Sequence, residues 1–297
     1  MNEPFRGLGV ALVTPFRPNG GIDYAGLEKL IDHQITGGVD YVVSMGTTGE
    51  SVTLTTAEKK QLLATTVELV RNRVPVVLGV GGNNTAEVIE KLHGFEMDGV
   101  DGILSVSPYY NKPTQEGIYQ HFKAVAQASM RPIILYNVPG RTGSNMSAET
   151  TVRLAKDFSN VVAIKEASGN LDQMGMILKH KPKDFMLISG DDTLTLPAIA
   201  IGGVGVISVV GNALPKETSD LVHAAMKGDL ATARKEHLRL LDIINLLFAE
   251  GNPGGIKYVL KALGICGDHM RLPLVNISEG LEKKLYHALA DAEVVKL

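Results

Sequence analysis

One lysine lies in a stretch whose other residues are typical of a buried strand. Lys165 follows Val161-Val162-Ala163-Ile164, and turn-forming residues, Ser168 and Gly169, come soon after it. An ammonium group is costly to bury, so a lysine inside a strand calls for an explanation. A buried amine loses its proton more easily, and its lone pair can then form a Schiff base with a carbonyl. The alternative is a lysine at a strand end whose ammonium reaches water, and this stretch alone leaves both open.

Other reactive side chains follow other predicted strands. Thr47 and Thr48 lie in a Gly-Thr-Thr-Gly turn, Tyr110 follows a later strand, and Tyr136 ends another, with Arg141 just beyond it. Turn chemistry explains glycine and threonine at such places but explains tyrosine and arginine poorly. Hydroxyl groups can relay protons to an amine nucleophile, while a guanidinium or backbone amides can bind carboxylates. The pattern predicts a Schiff-base lyase or aldolase that acts on small keto acids.

Other chemistries fit the sequence less well. All eight histidines fall in predicted helices or near the C-terminal segment, which disfavours a histidine metal site and a Ser-His-Asp triad. Glu166 should point away from Lys165, because side chains alternate along a strand. Asp191 and Asp192 after the seventh strand would repel a phosphate, and we expect them, like Thr85, to cap helices. We expect neither a metal nor a cofactor, only a covalent Schiff base on Lys165.

The elements that would position these side chains alternate regularly. Eight apolar runs begin near residues 9, 41, 74, 102, 132, 161, 185 and 204, and helical patterns separate them. Runs this apolar suit parallel strands buried on both faces, and eight such units predict a (β/α)8 TIM barrel. A doubly wound open sheet is the alternative fold. We predict a barrel over residues 1–225 that carries the active site at its C-terminal strand ends, and a C-terminal helical extension over residues 226–297 packed on it.

The composition is ordinary for a globular protein. Hydrophobic residues make up 44% and charged residues 21% of the chain, and the net charge is -3. This charge predicts no binding to nucleic acid or to an anionic membrane. The longest apolar stretch, residues 196–210, is interrupted by glycines and too short for a bilayer, and residues 1–6 lack the apolar run of a signal peptide. We therefore expect a cytoplasmic protein.

Four separated segments resemble the 4-hydroxy-tetrahydrodipicolinate synthase (dihydrodipicolinate synthase) family, in the N-acetylneuraminate lyase superfamily of aldolase-type barrels. The segments are Gly46-Thr47-Thr48-Gly49-Glu50, Pro108-Tyr109-Tyr110-Asn111-Lys112-Pro113, Tyr136-Asn137-Val138-Pro139-Gly140-Arg141-Thr142 and Ile164-Lys165-Glu166-Ala167-Ser168-Gly169. The resemblance extends from about Gly7 to at least Leu272. Because the four segments occur in the family's order, the resemblance is specific.

The resemblance implies a reaction and catalytic roles. Lys165 would form a Schiff base with pyruvate, and the resulting enamine would attack L-aspartate 4-semialdehyde to give 4-hydroxy-tetrahydrodipicolinate, in diaminopimelate and lysine biosynthesis. Tyr136 matches the general acid/base, and Thr47 matches a threonine that bridges two tyrosines. Tyr110 matches the second tyrosine, which in this family enters the neighbouring subunit's site. A homotetramer built as a dimer of dimers is therefore implied.

The resemblance also implies substrate contacts. Thr48 matches a residue that holds the pyruvate carboxylate, and Arg141 matches the arginine that receives the carboxylate of the semialdehyde. Gly190 and Ile207 match main-chain positions that line the pocket. Two further functions stay open: a lyase for N-acetylneuraminate or a 2-keto-3-deoxy sugar acid, and a non-catalytic metabolite-binding barrel. Arg141 favours a substrate with a second carboxylate over a polyol, and the complete set of site residues argues against lost activity.

Some members of the family are inhibited by lysine, which binds at a dimer interface. The residues that match part of this allosteric site are Ser51, Asn83, Glu87 and Tyr109. Where many sensitive members have a histidine, this chain has Thr56 and Lys59. The ammonium of Lys59 would repel the ammonium of a bound lysine.

We therefore expect L-lysine to inhibit the enzyme weakly or not at all. Initial rates measured against increasing L-lysine check this expectation, with pyruvate and semialdehyde held near half-saturation. Strong inhibition at micromolar lysine would contradict it.

Overall fold

Eight parallel strands close into a barrel in chain order. The computed structural model describes residues 4–295, so the outermost parts of the two predicted segments, residues 1–3 and 296–297, lie outside the described residues. The strands are β1 Gly7–Ala11, β2 Tyr41–Ser44, β3 Val76–Gly79, β4 Gly102–Val106, β5 Ile133–Asn137, β6 Val161–Glu166, β7 Met186–Ser189 and β8 Gly205–Ser208. The predicted (β/α)8 barrel is confirmed, and the open doubly wound sheet is wrong.

Helices connect successive strands and continue after the last one. The helices are α1 Tyr24–Thr36, α2 Thr56–Val70, α3 Thr85–Gly94, α4 Gln115–Ala128, α5 Pro139–Thr142, α6 Ala148–Asp157, α7 Leu171–His180, α8 Thr195–Ala200, α9 Pro215–Met226, α10 Leu230–Leu247, α11 Gly254–Ala262 and α12 Glu279–Asp291. The division between barrel and extension at residue 225 stays a prediction. Within residues 4–295, no helix combines the length and apolar character that crossing a membrane requires.

Side chains alternate between two apolar cores along each strand. On β6, Ala163 belongs to a cluster that fills the barrel, and Ile164 belongs to a larger cluster between the strands and the helices. Lys165 therefore falls on the inner face and Glu166 on the outer face. The Glu166 carboxylate accepts hydrogen bonds from the side chains of Asn137 and Gln173, each at 2.9 Å. The predicted opposite directions of Lys165 and Glu166 are confirmed.

The barrel closes at a contact between two glycines. Gly7 of β1 pairs with Gly205 of β8, and a Cβ at position 205 would lie 1.9 Å from the Gly7 carbonyl oxygen. Gly205 also has a φ of +149°, which side-chain-bearing residues rarely adopt. Glycine at position 205 is therefore required for β8 to approach β1.

The end strands differ from the apolar runs that predicted them. We predicted β1 over residues 9–13, but Leu12 and Val13 are buried beyond the strand end. Val209 and Val210 likewise leave β8 and enter a turn, where the Asp192 carboxylate accepts hydrogen bonds from both backbone N–H groups, at 2.9 and 3.1 Å. All four residues are apolar because they are buried, but the hydrogen bonds to Asp192 hold Val209 and Val210 in a turn beyond the end of β8.

Two of the predicted helix caps are wrong. Asn84, and not Thr85, caps α3, by accepting a hydrogen bond from the Ala86 N–H at 3.1 Å. The Thr85 hydroxyl instead contacts Nδ1 of the buried His121, at 2.9 Å. Asp191 does cap the short helical turn that follows it, as predicted. Asp192 does not, because it anchors the turn after β8.

Replacing Gly205 with alanine should lower the free energy of unfolding by about 3 kcal/mol or more, because the new methyl group would collide with backbone atoms of Gly7. Urea denaturation gives this free energy. Gly20→Ala is the matched control, since Gly20 has a φ of +80° and open space around it, so only backbone strain of about 1–2 kcal/mol applies. Equal losses in the two variants would refute the steric argument.

Candidate active site

Lys165 lies inside the barrel near the C-terminal end of β6, with 5% of its surface exposed. Its Nζ is 4.5 Å from the centre of the Tyr136 ring, which belongs to the paired residue of β5. A Cβ on Gly190 would lie 3.0 Å from Lys165 Cε, so glycine at this position leaves room for the lysine side chain. The structure thus brings together Lys165, Tyr136 and Gly190 from three adjacent strands or strand ends.

A cavity of about 800 Å³ opens at these strand ends and continues into the groove between α2 and α3. Of the predicted catalytic and substrate-binding residues, Thr47, Tyr136 and Arg141 line it. Lys165 does not line it but lies against Tyr136, which does, and Ile207 is buried in the barrel. A cavity of this size can hold a small substrate with room to spare.

The Gly-Thr-Thr-Gly segment forms a single tight turn after β2. Thr47–Gly49 form one turn of 3-10 helix, in which Thr47 is exposed and Thr48 is buried. The Gly49 carbonyl accepts a hydrogen bond from the Thr14 hydroxyl at 2.6 Å. Glu50 follows in the left-handed region with a φ of +52°. Such a backbone angle is unfavourable for glutamate, so contacts elsewhere must stabilise it.

These contacts come from the C-terminal helices. Lys257 of α11 donates a hydrogen bond to the Glu50 carboxylate, and both side chains are fully buried. The Lys257 ammonium also donates to the His269 carbonyl at 2.8 Å, and the Arg271 N–H donates to the second carboxylate oxygen of Glu50 at 3.2 Å. Burial lowers the pKa of Lys257, and the charge of Glu50 opposes this shift. The pair is thus stabilised by further hydrogen bonds on both partners.

A second ion pair joins the same two parts of the chain. The Arg271 guanidinium donates to the Glu58 carboxylate and to the Thr53 carbonyl, each at 2.9 Å. Hydrogen bonds from Arg271 lower the pKa of Glu58 to about 2. The guanidinium also lies 4.6 Å from the centre of the Phe16 ring. Residues far along the chain therefore hold the turn that carries Thr47.

The side chain of Asn252 extends this connection to Thr48. Its amide donates a hydrogen bond to the Thr48 hydroxyl at 3.0 Å across 204 residues of sequence. Our sequence analysis missed Asn252, Lys257 and Arg271, because pairings over such separations leave no local pattern. One signal was available: Lys257 interrupts the apolar face of its helix, as Lys165 interrupts its strand.

The single chain does not bring Tyr110 to Lys165. The Tyr110 side chain is 88% exposed, its residue has a φ of +72°, and it does not line the cavity. Among residues 4–295, no group of three or more His, Cys, Asp or Glu side chains is arranged to hold a metal ion.

The groove between α2 and α3 contains most of the predicted allosteric residues. Those that line it are Ser51, Glu87 and Tyr109, and Thr56 and Lys59, which depart from lysine-sensitive members, line it as well. Asn83 does not, and its carbonyl accepts a hydrogen bond from the Asn111 amide at 3.0 Å. Glu87 lies 3.7 Å from the ammonium of Lys91. Burial and the charge of Lys91 lower the pKa of Lys59. The groove therefore already contains two ammonium groups, those of Lys59 and Lys91, in addition to the Glu87 carboxylate.

The closed barrel and the lysine that it encloses define the class of barrel lyases that act through a lysine amine. Comparison with known families narrows this class. The model of the dihydrodipicolinate synthetase family matches residues 4–292. The chain belongs to this family, as its four motifs predicted.

Individual relatives agree with this membership. The 4-hydroxy-tetrahydrodipicolinate synthase of Parabacteroides distasonis is 54% identical over 91% of each chain. The dihydrodipicolinate synthase of Thermotoga maritima has a solved structure with a TM-score of 0.96 and 40% identity, covering 99% of this chain and 100% of its own. The structure of the Acinetobacter baumannii enzyme, complexed with pyruvate, has a TM-score of 0.95 and 39% identity over 98% and 99% of the two chains.

Replacing Lys257 with methionine should lower the free energy of unfolding by about 3–5 kcal/mol, because the Glu50 carboxylate would stay buried without its partner. Urea denaturation measures the loss, and Glu50→Gln in the same chain should restore part of it. Lys216→Met removes the exposed Lys216–Asp220 pair and serves as the control, for which we expect little change. An equally small effect in Lys257→Met would show that the buried pair does not stabilise the fold.

Proposed function

We infer that the chain condenses pyruvate with L-aspartate 4-semialdehyde to form 4-hydroxy-tetrahydrodipicolinate. The observation that carries this inference is Lys165, enclosed in the barrel beside Tyr136 in a chain 54% identical to a 4-hydroxy-tetrahydrodipicolinate synthase. A relative with 39% identity has been solved with pyruvate bound, which supports pyruvate as one substrate. No feature of the cavity favours a sugar acid over these substrates.

The Lys165 amine attacks the keto carbon of pyruvate, and loss of water gives a Schiff base. Loss of a methyl proton then gives an enamine, whose carbon attacks the aldehyde of the semialdehyde. The amino group of the adduct displaces Lys165 from the Schiff base and closes the ring. Each step moves a proton, so hydroxyl groups must lie near the lysine. Tyr136 is the proposed acid/base, and the centre of its ring lies 4.5 Å from Lys165 Nζ.

The remaining roles are those that membership of the family implies, and the chemistry of each side chain is compatible with them. Thr47 at the cavity wall relays protons between Tyr136 and Tyr110 of a neighbouring subunit. Arg141, exposed at the cavity, binds the carboxylate of the semialdehyde through its guanidinium. Thr48 holds the pyruvate carboxylate. Family resemblance further supports main-chain contacts from Gly190 and Ile207 to the pyruvate on Lys165, and Gly190 lies directly beside the lysine side chain.

Exposed side chains support an oligomer. Tyr110 is 88% exposed on a backbone in the left-handed region, and a partner subunit would give this side chain a place to bind. Val52, Leu272 and Val275 are also more than two-thirds exposed, at 83%, 79% and 68%. Exposed apolar side chains of this size are typical of surfaces that another subunit covers. We propose a homotetramer built as a dimer of dimers.

The regulatory site and the location follow from charge and composition. Ser51, Asn83, Glu87 and Tyr109 would be insufficient to bind lysine, since Lys59 and Lys91 repel a second ammonium in the same groove. The net charge of -3 supports a protein without nucleic acid or anionic membrane partners, and we propose a cytoplasmic location.

Borohydride reduction in the presence of pyruvate, followed by peptide mass mapping, tests the mechanism. We expect a covalent adduct on Lys165 and none on the equally buried Lys257, whose ammonium is held by Glu50. Lys165→Ala should remove the adduct and lower kcat roughly a thousandfold or more, as the condensation assay with both substrates measures. Folded wild-type protein with unlabelled Lys165 would overturn the mechanism, and cleavage of sugar acids without condensation would overturn the choice of substrate.

A further inference from the structure

The loop between α10 and α11 contributes a side chain, Asn252, that donates a hydrogen bond to the Thr48 hydroxyl. We propose that Asn252 is a positioning residue, whose amide directs the Thr48 hydroxyl toward the pyruvate carboxylate. This inference rests on the proposed function, because it deepens the role of Thr48 in that reaction. It adds to the site a residue from outside the eight strand ends.

The contact between the two side chains is buried. Asn252 Nδ2 lies 3.0 Å from Thr48 Oγ1, and the two residues are 9% and 3% exposed. The backbone on both sides is held independently, because Glu50 and Lys257 join the same turn to the same C-terminal segment. The amide can therefore orient the hydroxyl without also having to hold the turn in place.

The hydrogen bond from Asn252 determines whether the Thr48 hydroxyl can donate to a carboxylate. An amide NH2 group only donates, so the Thr48 oxygen must accept, and its single hydrogen has to point elsewhere. A carboxylate only accepts, so it can bind this hydroxyl only through that hydrogen. A hydroxyl that already accepts one hydrogen bond is also polarised toward donating another. Asn252 thus leaves Thr48 in the one state that can bind an anion.

Either orientation of the amide would leave one of its two arms without a partner, so the two differ in what they do to the Thr48 hydroxyl. Asn252 Oδ1 is buried and has no hydrogen-bond partner among residues 4–295. Turning the amide over would leave Nδ2 unpartnered instead and would make Thr48 donate to Oδ1. The hydroxyl would then present only lone pairs to the carboxylate, and it would repel the anion that it is meant to hold. The orientation in the structure is the one that supports binding.

A double-mutant cycle separates this role from a structural one. The pyruvate concentration that gives half-saturation is measured in six proteins. They are the wild type, Asn252→Ala, Thr48→Val, Thr48→Ser, and the two double variants that combine Asn252→Ala with each threonine change. Borohydride trapping and steady-state turnover provide the two readouts. We expect Asn252→Ala to raise half-saturating pyruvate about tenfold, as loss of a hydrogen bond to a charged group does. The kcat and the KM for the semialdehyde should change little, since the carboxylate is bound alike before and during reaction.

The effect of Asn252→Ala in each Thr48 variant tests whether Asn252 acts through the Thr48 hydroxyl. Asn252→Ala should add nothing in the Thr48→Val chain, which has no hydroxyl to direct, and should keep its full effect in the Thr48→Ser chain. An undiminished effect in Thr48→Val would overturn the proposal, because Asn252 would then act without the hydroxyl. Unchanged pyruvate binding in Asn252→Ala would overturn it as well. If the wild type itself forms no adduct with pyruvate, the proposed function fails first.

Two controls keep the outcome interpretable. Ser278→Ala removes the exposed hydrogen bond that the Ser278 hydroxyl donates to the Glu250 carboxylate, in the same part of the chain, and should leave pyruvate binding unchanged. Thermal unfolding shows whether each variant is folded. If Asn252→Ala does not fold, Asn252→Ser takes its place in the cycle, since its shorter side chain also withdraws the amide from Thr48.

Discussion

The ion pair between Lys257 and Glu50 is the interaction on which the active-site turn depends. Moving two charges out of water is costly, and such a pair is tolerated only when further hydrogen bonds satisfy both partners. Here the His269 carbonyl accepts a hydrogen bond from Lys257, and the Arg271 N–H donates one to Glu50. Because Glu50 is in the left-handed region directly after the Thr47–Gly49 turn, the pair fixes the backbone that presents Thr47 and Thr48. The C-terminal helices are therefore part of the site.

The two buried lysines among residues 4–295 differ in their surroundings, and the difference matches the roles that we propose for them. Lys257 is paired with a carboxylate, and this partner favours its charged form. Lys165 lies against the Tyr136 ring, and none of the ion pairs among residues 4–295 includes it. Strand alternation contributes to this, because it turns Glu166, the nearest carboxylate in sequence, to the outside of the barrel. The same side-chain type thus stabilises the fold at one position and is available to a substrate at the other.

One subunit alone does not bring all of the predicted catalytic side chains together. Lys165, Tyr136, Thr47 and Arg141 come together at one end of the barrel, but Tyr110 projects from the surface. A proton relay that includes Tyr110 would need a second copy of the chain. The side chains of Val52, Leu272 and Val275 are apolar and exposed, as is typical of surfaces that contact another subunit. Assembly and catalysis would then be linked through the shared tyrosine.

The sequence by itself determined the order of elements and the closed barrel, and it predicted the chemistry of Lys165. Burial on both faces makes parallel strands into apolar runs, and a lysine within such a run is visible without coordinates. Local patterns were less able to show where β1 and β8 end, or that Asn84 caps α3. Only the tertiary structure brought Asn252, Lys257 and Arg271 to the turn after β2, since these contacts join residues more than 200 positions apart. A pairing over such a distance depends on how the helices pack, which no short stretch of sequence encodes.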